Sequence, residues 1–185
     1  MSNRKVYISG EIVPEVDAKI SIFDSAVLLG DTVTESTRTF NYKPFKLAEH
    51  IDRLYKSFKL TRIDPQMSTK EMMEVSLNLL ETNKGEYGNN EDCWLVHNVS
   101  RGHSVTGGNP ALQVTKPTVM IYTQPMNLIL WAPFYTKGCH AVIPSTRMIP
   151  SQSLDARIKN RSRLFYTLSE IDAKLVDPDA QSVIL

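Results

Sequence analysis

Cysteine and net charge are the scarce commodities of these 185 residues. Cys93 and Cys139 stand alone, both in apolar runs and with no Cys-x-x-Cys spacing. That argues against a disulfide framework or a cysteine-built metal site. It fits reduced, buried thiols in a cytoplasmic protein. Twenty-one lysines and arginines face twenty acidic residues, for a net charge of +1, so nothing electrostatic points to nucleic acid or a membrane as main partner. The longest apolar run, 128–134, follows Asn127, contains Pro133, and is far too short to span a bilayer. The first residues, MSNRKVYISGEIV, hold neither the apolar core nor the cleavage signature of a signal peptide. Internal repeats and low-complexity tracts are missing as well. What is present, 42% hydrophobic residues, suffices for one good core or two small ones.

The patterning predicts an α+β chain. Residues 6–8 and 11–13 read as a hairpin around Ser9-Gly10, and 20–23 as another short extended piece. A turn-rich stretch through Gly30-Asp31 leads to 32–40, an alternating run rich in β-branched residues and hence a strand. A helix is expected over 48–62, with Leu47, Ile51, Leu54 and Phe58 as its core stripe. Ser68 and Glu71 form a capping-box pattern that opens a second helix to about residue 83, with Met72, Val75, Leu79 and Leu80 inward. Strands are expected at 93–100, 118–123 and 139–143, and further extended pieces at 145–150 and 181–185. Two prolines and no clear period mark 125–138 as an interdomain linker between residues 1–124 and 139–185.

The stretch 153–175 concentrates chemistry. Arg157, Lys159, Arg161 and Arg163 fall within seven positions. Leu164, Leu168, Ile171 and Leu175 then draw one apolar stripe, which predicts a buried helix. A lysine among cations loses its proton more easily, and a neutral amine is what Schiff-base chemistry requires. A solvated basic turn, or a patch for phosphate or RNA, is the alternative reading of the same charges.

The run from Lys159 to Leu164 resembles the lysine motif of the class IV (fold type IV) pyridoxal-phosphate enzymes: branched-chain aminotransferases, D-amino acid aminotransferases and aminodeoxychorismate lyases. A second signature of that family is matched by Gly30-Asp31, Thr34-Glu35 and Arg38, followed by His50, Arg53-Leu54 and Ser57. The resemblance implies a two-domain fold, here the complete small domain and the first part of the larger, mostly β domain. It implies pyridoxal 5'-phosphate as cofactor, no metal, an amino donor and a keto acid as substrates, and a homodimer. Lys159 would form the internal aldimine and shuttle the proton. Arg53 would anchor the cofactor phosphate, on a helix whose packing Leu54 and Phe58 rather than Arg53 are expected to carry, and Arg163 would hold polar groups at the cofactor-side turn. Leu29, Thr34 and Arg38 occupy places that face substrate in the family, with Leu29 approaching the partner's cofactor. His50 is expected to support the helix.

Several departures qualify that picture. The Arg-Leu pair at 163–164 is nearest to the lyase branch. The Arg-x-His carboxylate trap of the D-amino acid enzymes is missing after Arg101-Gly102, and the Tyr-x-Arg of the branched-chain enzymes is missing around 95–97, so substrate class does not carry over. His97 and His103 are more readily structural than substrate-facing. The glutamate that pairs with the pyridine nitrogen would lie beyond Leu185, which sets an inactive shortened relative beside the aminotransferase and the lyase.

Overall fold

The computed structural model describes residues 3–87, 92–103 and 116–185, in two compact units. Residues 84–92, polar with two glycines, read from the sequence as a loop, and that stretch and the second loop read as beginning at Arg101-Gly102 lie partly outside these residues. The first unit spans 1–126 and also takes in 157–161. Its sheet contains β1 (Lys5–Ile8), β2 (Glu11–Pro14), β3 (Thr32–Phe40), β4 (Lys43–Pro44), β5 (Cys93–Ser100) and β6 (Thr118–Pro125), in the order β2-β1-β6-β5-β3-β4. Every pairing in it is antiparallel. The stretch expected to be extended at 20–23 forms a turn instead, followed by the single turn α1 (Ser25–Leu28), because Asp24 caps it by accepting from the Ala26 amide.

One face of the sheet is covered by α2 (Leu47–Thr61) and α3 (Thr69–Thr82). The expected stripe of α2 is buried throughout. Ser68 and Glu71 form the reciprocal cap that opens α3. Side chains alternate across a strand, so Val33, Leu95, Val99, Val119 and Ile121 meet the helices from the sheet. Asn83, fully buried at the end of α3, accepts from the Lys5 amide and donates to the Lys5 carbonyl, tying the helix to β1.

Arg101 secures the other end of α2. Its Nε donates to Asp31 at 2.8 Å, and its two terminal nitrogens donate to the Thr61 and Arg62 carbonyls, which the helix itself leaves without partners. Gly102 must follow, since its φ is +100° and a Cβ there would collide with the Lys116 carbonyl.

The second unit comprises 127–156 and 162–185. Residues 125–138, read as a linker, contain two helical turns, α4 (Leu128–Trp131) and α5 (Phe134–Lys137), with Pro133 at the cap where its missing N–H is harmless. β7 (Ala141–Val142) pairs in parallel with β8 (Ser182–Val183), both shorter than expected, and no strand forms at 145–150. The helix after the basic run, α6 (Leu164–Val176), has the expected extent but not the expected burial. Leu164 and Leu175 are 70% and 81% exposed, and Leu168 and Ile171 are exposed too. Its inward face is made of Ser169 and Ala173, small residues that allow close approach. Cys139, expected to be buried, is exposed, while Cys93 is buried as expected.

Candidate functional site

Residues 157–161 leave their sequence neighbours and join the first unit. Ile158 packs against its core. Asn160 bridges Val33 in antiparallel fashion, the Thr34 amide donates to the Lys159 carbonyl at 2.8 Å, and the Arg161 amide donates to the Thr32 carbonyl at 2.9 Å. This segment therefore extends the sheet beside the first half of β3, where β3 would otherwise be an edge. The Lys159 amide also donates to Ser57 Oγ on α2, at 3.3 Å. Both donor and acceptor of the Lys159 main chain are thus held, and the residue is half-buried.

One turn before Ser57, Arg53 meets Glu35. The carboxylate is fully buried on the helix-facing side of β3. Arg53 donates from Nε to Oε2 and from Nη2 to Oε1, both at 2.6 Å. His50 Nδ1 lies 3.0 Å from Oε1, and the Ser36 amide donates to the same oxygen at 2.9 Å. Burial pushes the Glu35 carboxyl up. Bonds from Arg53, the Ser36 amide and His50 more than offset this and leave it below its ordinary value. The Arg53 side chain is still 53% exposed, so its fork is gripped on one edge and open on the other. Leu54 and Phe58 carry the packing of α2, and Arg53 adds to it an ion pair that compensates a buried charge. His50 supports the same carboxylate, in keeping with a structural role.

The other candidate residues are dispersed. Thr34 is buried and donates its hydroxyl to the His97 carbonyl. Arg38 lies on the same side of β3, four residues and about 13 Å farther along. Its guanidinium sits 3.8 Å over the Phe40 ring, and its Nε donates to the Thr39 carbonyl. Leu29 caps α1 and is 59% exposed. Arg163 belongs to the second unit, where it lies over the Tyr166 ring at 4.6 Å. His97 is fully buried against Ser76 of α3, with Nε2 and Oγ 2.7 Å apart. Ser76 donates its own hydroxyl to the Met72 carbonyl, so His97 Nε2 carries the hydrogen. His97 is a core residue. His103 packs edge-on against Phe23.

Two roles were missed in the sequence. Glu35 and Ser57 both stand inside the quoted signature, yet only the fold shows what they touch. The available signal was parity: Glu35 falls in β3 on the face of Val33 and Thr37, where a carboxylate has to find a partner. Among the described residues no cluster of three or more His, Cys, Asp or Glu could hold a metal, and no helix is long and apolar enough to cross a membrane.

Residues 32–185 match the family described as amino-transferase class IV. A Methanocaldococcus jannaschii protein classed among branched-chain-amino-acid aminotransferases is 35% identical over 175 residues, which cover 95% of this chain and 57% of that protein. A D-alanine aminotransferase of Staphylococcus aureus is 28% identical over 120 residues, covering 65% of this chain and 41% of that one. The chain thus spans little more than half the length of the former. Among solved structures, a T.th. branched-chain amino acid aminotransferase complexed with N-(5'-phosphopyridoxyl)-L-glutamate superposes with a TM-score of 0.81 at 21% identity, covering 99% of this chain and 58% of that one. The branched-chain aminotransferase of Thermoproteus uzoniensis with norvaline gives 0.72 at 20% identity, covering 94% and 55%. These likenesses establish the two-domain fold type IV architecture, α+β in class.

Proposed function

This chain belongs to the class IV amino-transferases, and from that premise we propose that it supplies the lysine and the phosphate anchor of a pyridoxal 5'-phosphate enzyme transferring an amino group between an amino acid or primary amine and a keto acid. The observation that carries the reading is the docking of 157–161 on β3 and α2. It brings the main chain of Lys159 to Ser57, one helical turn from the half-exposed fork of Arg53.

The donor set suits the cofactor. A planar guanidinium with one open edge matches the oxygens of a phosphate, and an amine on a fixed backbone matches an aldehyde. When bound, pyridoxal 5'-phosphate supplies that aldehyde and a ring that accepts an electron pair from the substrate carbon. Lys159 holds the cofactor and moves the proton at the reacting carbon. Its amide and carbonyl are both engaged, so its stem starts from a defined point. Arg38 and Leu29 face substrate, while the buried Thr34, its hydroxyl on the His97 carbonyl, holds β3 in place beside them. Leu29 is apolar and exposed, which suits a residue that reaches a second copy in a homodimer.

Titration with pyridoxal 5'-phosphate tests this reading. Visible absorbance of a lysine-bound cofactor is expected, shifting on addition of an amino acid, and Lys159→Ala abolishes it. A Lys159→Ala protein that keeps the colour contradicts the assignment.

A further inference from the structure

We propose that Glu35 is a positioning residue for phosphate recognition: it fixes the fork of Arg53 relative to the main chain of Lys159. The inference rests on the reading of Arg53 as phosphate anchor. β3 contributes consecutive residues to the two halves of the site. Thr34 bonds the Lys159 carbonyl through its amide, and Glu35 grips Arg53 through its carboxylate. α2 does the same from the other side, with Arg53 and Ser57 one turn apart. The strand and the helix together form a rigid frame for two side chains distant in sequence.

The grip is side-on. Nε and Nη2 both point at Glu35, which fixes the plane of the guanidinium. The opposite edge, carrying Nη1, lies away from the carboxylate, on a side chain that is 53% exposed. Glu35 in turn has no freedom of its own. It is fully buried, and the Ser36 amide and His50 hold Oε1. An exposed arginine on a helix samples many rotamers, and ordering it on binding has a cost. One clamped from behind presents its remaining donors in a fixed direction, so binding of the phosphate loses less entropy.

A purely structural ion pair, joining α2 to the sheet, would show the same static contacts. Ligand selectivity separates the two. Binding of pyridoxal 5'-phosphate and of pyridoxal, which lacks the phosphate, is measured by equilibrium dialysis on the full chain and on Glu35→Gln and Arg53→Gln. Thermal melts verify that each variant is folded. Glu35→Gln is expected to weaken pyridoxal 5'-phosphate about tenfold, the scale of one charge-assisted bond. Pyridoxal binding stays within about twofold, the experimental spread expected for an unperturbed contact. Arg53→Gln shows the same selectivity, and the double variant is no worse than Arg53→Gln alone, because the two residues act as one unit. Equal loss of both ligands in Glu35→Gln makes Glu35 purely structural and overturns the inference. So does an unchanged affinity for pyridoxal 5'-phosphate in Glu35→Gln while Arg53→Gln loses it, an outcome that leaves the anchor reading standing. Failure of Arg53→Gln itself to distinguish the two ligands overturns the anchor reading and this inference together. If Glu35→Gln does not fold, Glu35→Asp carries the same test, since it keeps the charge but draws the carboxylate back by one methylene.

Discussion

Glu35 and Arg53 illustrate how much one buried charge constrains its neighbours. Arg53→Ala would leave the carboxylate with only the Ser36 amide and His50. Removing one partner of a fully buried pair costs about 3–5 kcal/mol, but Arg53 is half-exposed and water can replace part of its contribution. A loss of about 2 kcal/mol in urea unfolding is expected at neutral pH. No loss would show that solvent already reaches Glu35. His97 gives a second prediction. Burial lowers its pKa to about 4. The unfolded chain takes up a proton near pH 6.5, and the folded chain does not until about pH 4. Stability is therefore complete above 6.5 and falls as pH drops towards 4, by about 2 kcal/mol between pH 7 and pH 5. His97→Gln is expected to flatten this dependence, and an equally steep dependence in the variant would assign it to another group. The Glu35 carboxyl acts in a separate window. Its folded pKa is depressed, so the stability it contributes is present above its ordinary value near 4.3 and lost only as the pH falls below that.

At the scale of elements, α2, α3, β3 and β5 were all legible in the sequence. Their patterns are local and agree with their burial. A β-branched alternation gives β3, a stripe at spacings of three and four gives α2, and a serine with a glutamate three residues on gives the start of α3. Ser68→Ala removes the hydroxyl's half of that cap, leaving the residue-68 amide on Glu71, and is expected to lower stability by about 1 kcal/mol in thermal or urea melts. An unchanged midpoint would mean that packing of Met72 and Leu79 alone holds the first turn. The exposed stripe of α6 shows where local pattern stops being informative. Periodicity says that one helix face seeks burial, but not what covers it, and within the described residues Ser169 and Ala173 are the buried ones. The region 125–138 misled in the opposite way. Its helical turns are four residues each, too short to leave a period. Nor does any local pattern foretell that 157–161 pairs with β3, since that contact joins residues more than a hundred positions apart.

For the molecule as a whole, the family and its α+β class were legible because both signatures are dense in charged positions. The assembly of the candidate site was legible only in part. Lys159 and Arg53 could be named from their motifs, whereas Glu35 and Ser57 acquire their meaning from the fold. Leu29 lies exposed at the end of α1 in the first unit, and Arg163 belongs to the second. The catalytic assignment therefore turns on Lys159. Borohydride reduction of the protein loaded with pyridoxal 5'-phosphate, followed by peptide mapping, is the most direct measurement. A pyridoxyl group on Lys159, and its loss in Lys159→Ala with the melting temperature retained, is the result expected. A pyridoxyl group on Lys56, Lys59, Lys137 or Lys174 instead would contradict the assignment.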